Sequence, residues 1–412
     1  MYLSTLWVSP LRLSRESLLG EFRRMRSLDK YVDAVRAIIN DVRTRGDEAV
    51  IAYTERFDSV TLTKIEVDVD ELRELASRVN KDVAQAIDEA YKSVEGFNRK
   101  LMPSDFEEEY CGLIRGVKWV PIDRVGIYVP RDYFSTLIMT GVIARVAGVG
   151  ELVITTPPNK DGSISPEIAY VSLKLNARVF RVGGPQAIAA MAFGTASIPR
   201  VDKIVGPGNT YVQAAKYLVS QYVGIDGIEG PTELVVCADP AIDPGIVALD
   251  IMAQLEHNSA IAVLITWDER YLGIIEARLG NLNYVSTLVN GPRDCVYIVN
   301  ELAPEHVTLW GLDNLISDVR NAGAVSVSTP SAMIDYVAGP SHVLPTESSA
   351  RWRGALSVYD FIKPITYVKA LSKDLAAELA KHGATLAIHE GFNNHAKSIT
   401  EWLFTDKPNK VA

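Results

Sequence analysis

Side chains able to do acid–base or metal chemistry are scarce in this 412-residue chain and gather in a few places. There are six histidines: His257, His306, His342, His382, His389 and His395. Four of them stand beside acids or amides in apolar or glycine-rich surroundings. Gln254 and His257 close the segment DPGIVALDIMAQLEH three residues apart, so on a helix both point the same way. ELAPEHVTLW sets Glu305 and His306 side by side after Pro304, at an expected helix start. IDYVAGPSHVLPT places Asp335 and His342 seven apart across a Gly-Pro turn, and IHEGFNNHAK separates Glu390 from His395 by a glycine-containing turn. Each group alone has a plain structural reading: a satisfied histidine, a cap at Glu305, a turn bond from Asp335, surface exposure in the tail. Together they suit a metal, which needs a few imidazole and carboxylate ligands, or a reaction that needs an imidazole near a carboxylate.

The elements that must carry these groups can be read from periodicity. Val32, Val35, Ile38, Ile39 and Val42 line one helical face, with Gly46 as the stop, and a second amphipathic stretch runs through VDELRELASRVNKDVAQAIDEAYKSVEGF. From residue 124 the pattern changes to short β-branched runs, RVGIYV, ELVITT, RVFRV and DKIV, separated by helix-like segments. After GIDGIEGPTE a second series begins: ELVVCA, AIAVLIT, CVYIV and AVSVS. Strand and helix alternating at this spacing point to parallel sheets in an α/β protein. The expected class is therefore α/β, with two parallel-sheet, incomplete Rossmann-like units, a helical N-terminal segment and a small helical C-terminal appendage. VGGPQAIAAMAFG and VGPGNTYVQAAK join strand to helix through glycines, leaving backbone N–H groups that could meet a phosphate, although such a turn needs no ligand. No G-x-G-x-x-G fingerprint opens either unit.

Composition narrows the function class. A formal net charge of -9, spread along the chain, argues against nucleic acid or an anionic membrane as partner. The longest apolar stretch, TLIMTGVIARVAGVG, is interrupted by Arg145 and glycines, and MYLSTLWV lacks the flanks of a signal peptide. Three widely spaced cysteines, Cys111, Cys237 and Cys295, suit reduced thiols in a cytoplasm. The residues alone reach a metal-assisted α/β enzyme and name no substrate.

At these same residues the sequence resembles the histidinol dehydrogenase family. VDKIVGPGNTYVQAAK, GPTELVVCAD, AQLEH, APEH, DYVAGPSHVLPT and LSVYDFIK carry the resemblance, in order and nearly throughout the chain. It implies four-electron oxidation of L-histidinol through L-histidinal to L-histidine, with NAD and one zinc per subunit. By that resemblance Gln254, His257, Asp335 and His395 would hold zinc. Glu305 would activate water, and His306 would act as general base. Thr232, His342 and Glu390 would contact substrate along with the zinc ligands and His306. Tyr128, Gln186 and Asn209 would meet NAD. The domain lines it implies are an N-terminal arm (1–20), a discontinuous catalytic α/β domain (21–123 with 232–352), an NAD-binding α/β domain (124–231) and a small helical unit (353–412). That last unit would be swapped onto the partner of a homodimer with shared active sites. Three departures stand out: Arg131 and Asp132 replace the family's glycine pair in a shorter loop, Thr232 replaces the usual serine, and the loop after His257 is short. Two rival functions are a related zinc and NAD dehydrogenase of another amino or sulfonated alcohol, and a metal-dependent hydrolase that uses Glu305 on water.

Overall fold

The computed structural model describes residues 11–14, 17–18, 28–257 and 260–405. Most of the arm expected over 1–20, and the loop at Asn258 and Ser259, lie outside the described residues. The chain divides into a large unit, Met1–Met102 with Ile122–Phe361, and a small one, Pro103–Pro121 with Ile362–Ala412.

In the large unit the helix Asp29–Arg45 buries Val35, Ile38, Ile39 and Val42 and ends at Gly46, whose φ is +58°. The next amphipathic stretch is two helices, Val69–Ala76 and Lys81–Arg99, divided where the Asn80 side chain caps the second by accepting from the Asp82 N–H. Both expected parallel sheets form within this one unit. The first has six strands in the order Glu66–Val67, Arg178–Phe180, Glu151–Thr155, Arg124–Tyr128, Lys203–Val205, Gly224–Ile225, and only its first pairing is antiparallel. The second is wholly parallel, ordered Leu11–Arg12, Val285–Leu288, Ile261–Thr266, Glu233–Ala238, His306–Trp310, Ala324–Val327.

The run ELVVCA explains the central strand of this second sheet. Val235 and Cys237 pack into one core with Val263 and Leu309, while Leu234, Val236 and Ala238 pack into another with Val247 and Leu264. A strand covered on both faces reads as an unbroken apolar run, and this one does.

Two expectations fail here for identifiable reasons. CVYIV, expected as a strand, lies inside the helix Pro292–Leu302. Pro292 sets the first turn, and Cys295, Val296, Ile298, Val299 and Leu302 are buried at helical spacing; the short β-branched run hid that period. The strands flanking this helix are Val285–Leu288 and His306–Trp310. Glu305 and His306 therefore stand at the start of a central strand and not at a helix start.

The small unit carries a three-stranded antiparallel sheet, ordered Ile362–Ala370, Leu113–Pro121, Phe106–Tyr110, and the helices Lys373–His389 and Asn393–Phe404. The expected all-helical tail thus contains a nine-residue strand and recruits a hairpin from before residue 122. Nearly every side chain of Ile362–Ala370 is exposed, so it lacks the apolar alternation that betrays a strand.

One glycine fixes how closely two strand ends of the first sheet approach. Gly206 has a φ of +113°, and a Cβ there would lie 2.2 Å from the carbonyl oxygen of Tyr128. Backbone cannot yield as a flexible side chain would, so Gly206→Ala is expected to cost about 2 kcal/mol or more in unfolding free energy. Urea titration checks this. A midpoint equal to that of the parent chain would contradict it.

Candidate active site

The polar groups of the large unit converge at the amino ends of two neighbouring strands of the second sheet. Leu234 is paired with His306 in register, which brings Thr232 and Glu233 level with Glu305. The Glu305 Oε2 accepts from the Thr232 hydroxyl at 2.6 Å and from the Glu233 N–H at 2.8 Å. In return the Glu233 Oε2 accepts from the Glu305 N–H at 3.2 Å. Backbone N–H groups at the first residue of a strand need partners, and here two carboxylates supply them reciprocally. Gln254 extends the chain of bonds, donating from Nε2 to the Thr232 hydroxyl at 2.6 Å. Burial pushes the Glu305 carboxyl well above the ordinary carboxylate range, against the pull of the Thr232 and Glu233 donors.

His306 is almost wholly buried, and its Nε2 faces Asp335 Oδ1 at 3.4 Å. Burial lowers its pKa to about 3, with His342 and His257 adding to the effect, so the ring is held neutral. His342 is half-buried, desolvation lowers its pKa to about 4, and its Nδ1 lies 2.9 Å from the Asp335 carbonyl oxygen. Asp335 sits on a short helix, Ala332–Tyr336, whose start is tied down by a buried acid: Asp250 Oδ1 accepts from the Ser331 N–H and hydroxyl. The Asp250 Oδ2 accepts from the Trp310 indole at 3.3 Å.

Asp243 and Pro244 begin the helix Pro244–Gln254 as expected, the Asp243 carboxylate accepting from the Gly245 N–H. The helix ends at Gln254, so His257 lies beyond it, in an exposed bend joined back by its N–H to the Gln254 carbonyl at 3.3 Å. Because the Gln254 amide nitrogen is committed to Thr232, its carbonyl oxygen is the atom left for a cation. Among the described residues no three His, Cys, Asp or Glu side chains group closely enough to hold a metal. The large unit contributes only one imidazole, one carboxylate and one amide to the expected set. Glu390 and His395 belong to the small unit, both exposed, at the end of one helix and the start of the next.

Of the three residues expected to meet NAD, Tyr128 is the last residue of a first-sheet strand, and Gln186 and Asn209 follow the carboxyl ends of two others, where open α/β sheets bind ligands. The buried Tyr128 accepts on its hydroxyl from the Gly184 N–H at 3.1 Å. Gln186 is fully buried with both atoms of its amide unpartnered, an arrangement that costs free energy unless a ligand supplies the bonds. Asn209 caps the helix Thr210–Val219 through Oδ1, at the edge of a cavity of about 890 Å³ also lined by Asp226, Glu229, Glu347 and Arg353.

The histidinol dehydrogenase family model matches residues 22–402 of the chain. A histidinol dehydrogenase of Saccharolobus solfataricus is 44% identical over 386 residues, covering 91% of this chain and 96% of that protein. One from Gluconobacter oxydans is 41% identical and covers 89% and 92%. The chain belongs to the histidinol dehydrogenase family. The crystal structure of a histidinol dehydrogenase from Elizabethkingia anophelis shares its fold at a TM-score of 0.90 and 29% identity, over 97% of this chain and 98% of that one.

The chain belongs to an oxidoreductase family, and two buried acids near the candidate site were passed over by sequence reasoning. Glu233 accepts from the Glu305 N–H, and Asp250 from the Ser331 N–H at the start of the helix that carries Asp335. The signal for Glu233 was present: one acid at the mouth of an otherwise apolar run, ELVVCA, destined for a core. The loop after Pro130 folds back on the helix Asp47–Asp58, with Arg131 paired to Asp58 at 3.0 Å and Asp132 at a φ of +65°.

Proposed function

We propose that the chain catalyses the NAD-linked oxidation of L-histidinol through L-histidinal to L-histidine, with zinc held by Gln254, His257, Asp335 and His395. The observation that carries this reading is the buried Glu305–His306 pair, flanked on one side by Thr232 and Gln254 and on the other by Asp335 and His342. The donor set suits zinc: two imidazoles, one carboxylate and an amide oxygen whose nitrogen is already committed. The orphaned amide of Gln186 beside Gly184 and Tyr128 suits a polar nucleotide. When bound, NAD takes up the hydride of each oxidation, and zinc orients the amino alcohol and polarises its oxygen.

The rest of the chemistry belongs to this chain. His306, kept neutral by burial, is in its base form, and its Nε2 is the ring nitrogen that faces Asp335 and the site. It accepts the alcohol proton in the first oxidation and a proton of the hydrated aldehyde in the second. The Glu305 Oε2 is filled by its two donors, which leaves Oε1 to take a proton from the water that adds to the aldehyde. His342 and Glu390 read the substrate's imidazole and ammonium group. Cys111, Cys237 and Cys295 are free thiols, in keeping with a reducing cytoplasm.

The test follows NADH while a limiting amount of L-histidinol is consumed in the presence of zinc. Two NADH per histidinol are expected, and one would show that oxidation stops at the aldehyde. Exhaustive chelation should abolish turnover and added zinc restore it. Full activity in a demonstrably metal-free sample would remove zinc from the reading.

A further inference from the structure

We propose that Glu233 is a positioning residue for Glu305, clamping the acid–base residue and one wall of the adjoining cavity into a single frame. The proposal rests on Glu305 being the group that activates water.

The Glu233 side chain is 2% exposed, and each of its carboxylate oxygens accepts one backbone N–H. Oε2 takes that of Glu305 at 3.2 Å, and Oε1 takes that of Glu347 at 2.9 Å. The first of these bonds is returned, since the Glu305 carboxylate accepts from the Glu233 N–H. The second reaches a turn that needs holding. Glu347 and Ser348 have φ of +53° and +62°, a left-handed pair without glycine, which is a strained conformation. Among the bonds that hold that turn are Glu233 on the Glu347 N–H, the Ser348 hydroxyl to the Leu302 carbonyl at 2.7 Å, the Gly230 N–H to the Thr346 hydroxyl at 2.6 Å, and the Ser349 N–H to the Thr346 carbonyl at 3.0 Å.

Thr346, Glu347 and Gly230 all line the cavity that Asn209 borders. One buried carboxylate therefore stands between the cavity wall and the backbone of Glu305. An apolar residue, like those filling positions 234–238, would meet the needs of the core at less desolvation cost. What it could not do is accept two N–H groups from different segments.

The test is a double-mutant cycle on the two halves of the reaction, measured with supplied histidinal and with histidinol. Glu233→Gln keeps shape and volume but offers one acceptor where two are needed. It is expected to slow the histidinal half roughly 10- to 100-fold and the histidinol half much less. Added to Glu305→Gln it should cause little further loss, because its effect runs through Glu305. A purely structural role would lower both halves alike and multiply with Glu305→Gln, and either result overturns the proposal. If Glu233→Gln does not accumulate as folded protein, Glu233→Asp, which keeps the acid but loses reach to one N–H, enters the same cycle under the same criterion. Should Glu305→Gln itself strike both halves equally, the role given to Glu305 fails and the comparison of halves no longer applies; Glu233 is then judged by additivity alone, and multiplying losses overturn the proposal.

Discussion

Glu305→Gln is expected to slow the oxidation of supplied histidinal by about 10²–10⁴-fold, the range typical for loss of a general base, while the oxidation of histidinol to the aldehyde falls far less. The amide keeps an oxygen for the Thr232 hydroxyl and the Glu233 N–H, so the strand ends stay joined. What it loses is the ability to take a proton from water. His306→Ala or His306→Asn should impair both halves by a comparable factor, since each oxidation releases a proton to the same imidazole. Single-turnover measurements of NADH from each substrate separate the two halves. Equal damage to both by Glu305→Gln would refute this division of labour.

The second large effect is a recovery. Gln254, His257 and Asp335 belong to the large unit, and Glu390 and His395 to the small one. In the small unit Leu386, Ile388 and Phe392 are exposed around those two residues, apolar surface of the kind that docks on a neighbour. A two-fold dimer in which each small unit completes its partner's site would cover that surface and supply the fourth ligand in trans. His257→Ala and His395→Ala should each be inactive for lack of metal. Unfolded and refolded together, they form mixed dimers in which one site draws an intact His257 from one chain and an intact His395 from the other. Random pairing makes half the dimers mixed with one good site in two, so activity should return to roughly a quarter of the parent value. If His395 acts within its own chain, every site keeps a defect. The mixture then stays inactive although dimers form, and the shared-site reading fails.

The reach of the sequence follows physical lines. The strands RVGIYV, ELVITT and ELVVCA were legible because both faces are buried and the runs are unbroken. Asp243 with Pro244 marked a helix start because capping chemistry is local. The strand His306–Trp310 was misread because it opens on a histidine preceded by Pro304 and Glu305, residues that resemble a capped helix start. The strand Ile362–Ala370 left no pattern, since its partner is far away and its side chains are exposed. Of the site, Glu305, His306, Asp335 and His342 were visible as pairs, and the structure brings them together. The reciprocal bonds of Glu233 and Glu305 depend on register between strands about 70 residues apart, which no local pattern encodes.

The small sheet has a consequence for biosynthesis. Leu113–Pro121 is its middle strand, bonded on one side to the neighbouring Phe106–Tyr110 and on the other to Ile362–Ala370. On the ribosome the hairpin emerges early, and its third strand follows about 240 residues later. At translation rates of roughly 5–20 residues per second the hairpin waits on the order of ten to fifty seconds with a nine-residue edge open. An open edge of that length is a template for another nascent chain, and on a polysome the nearest identical one is close by. A transcript cut anywhere within the codons for 122–361 yields a chain that can never close it.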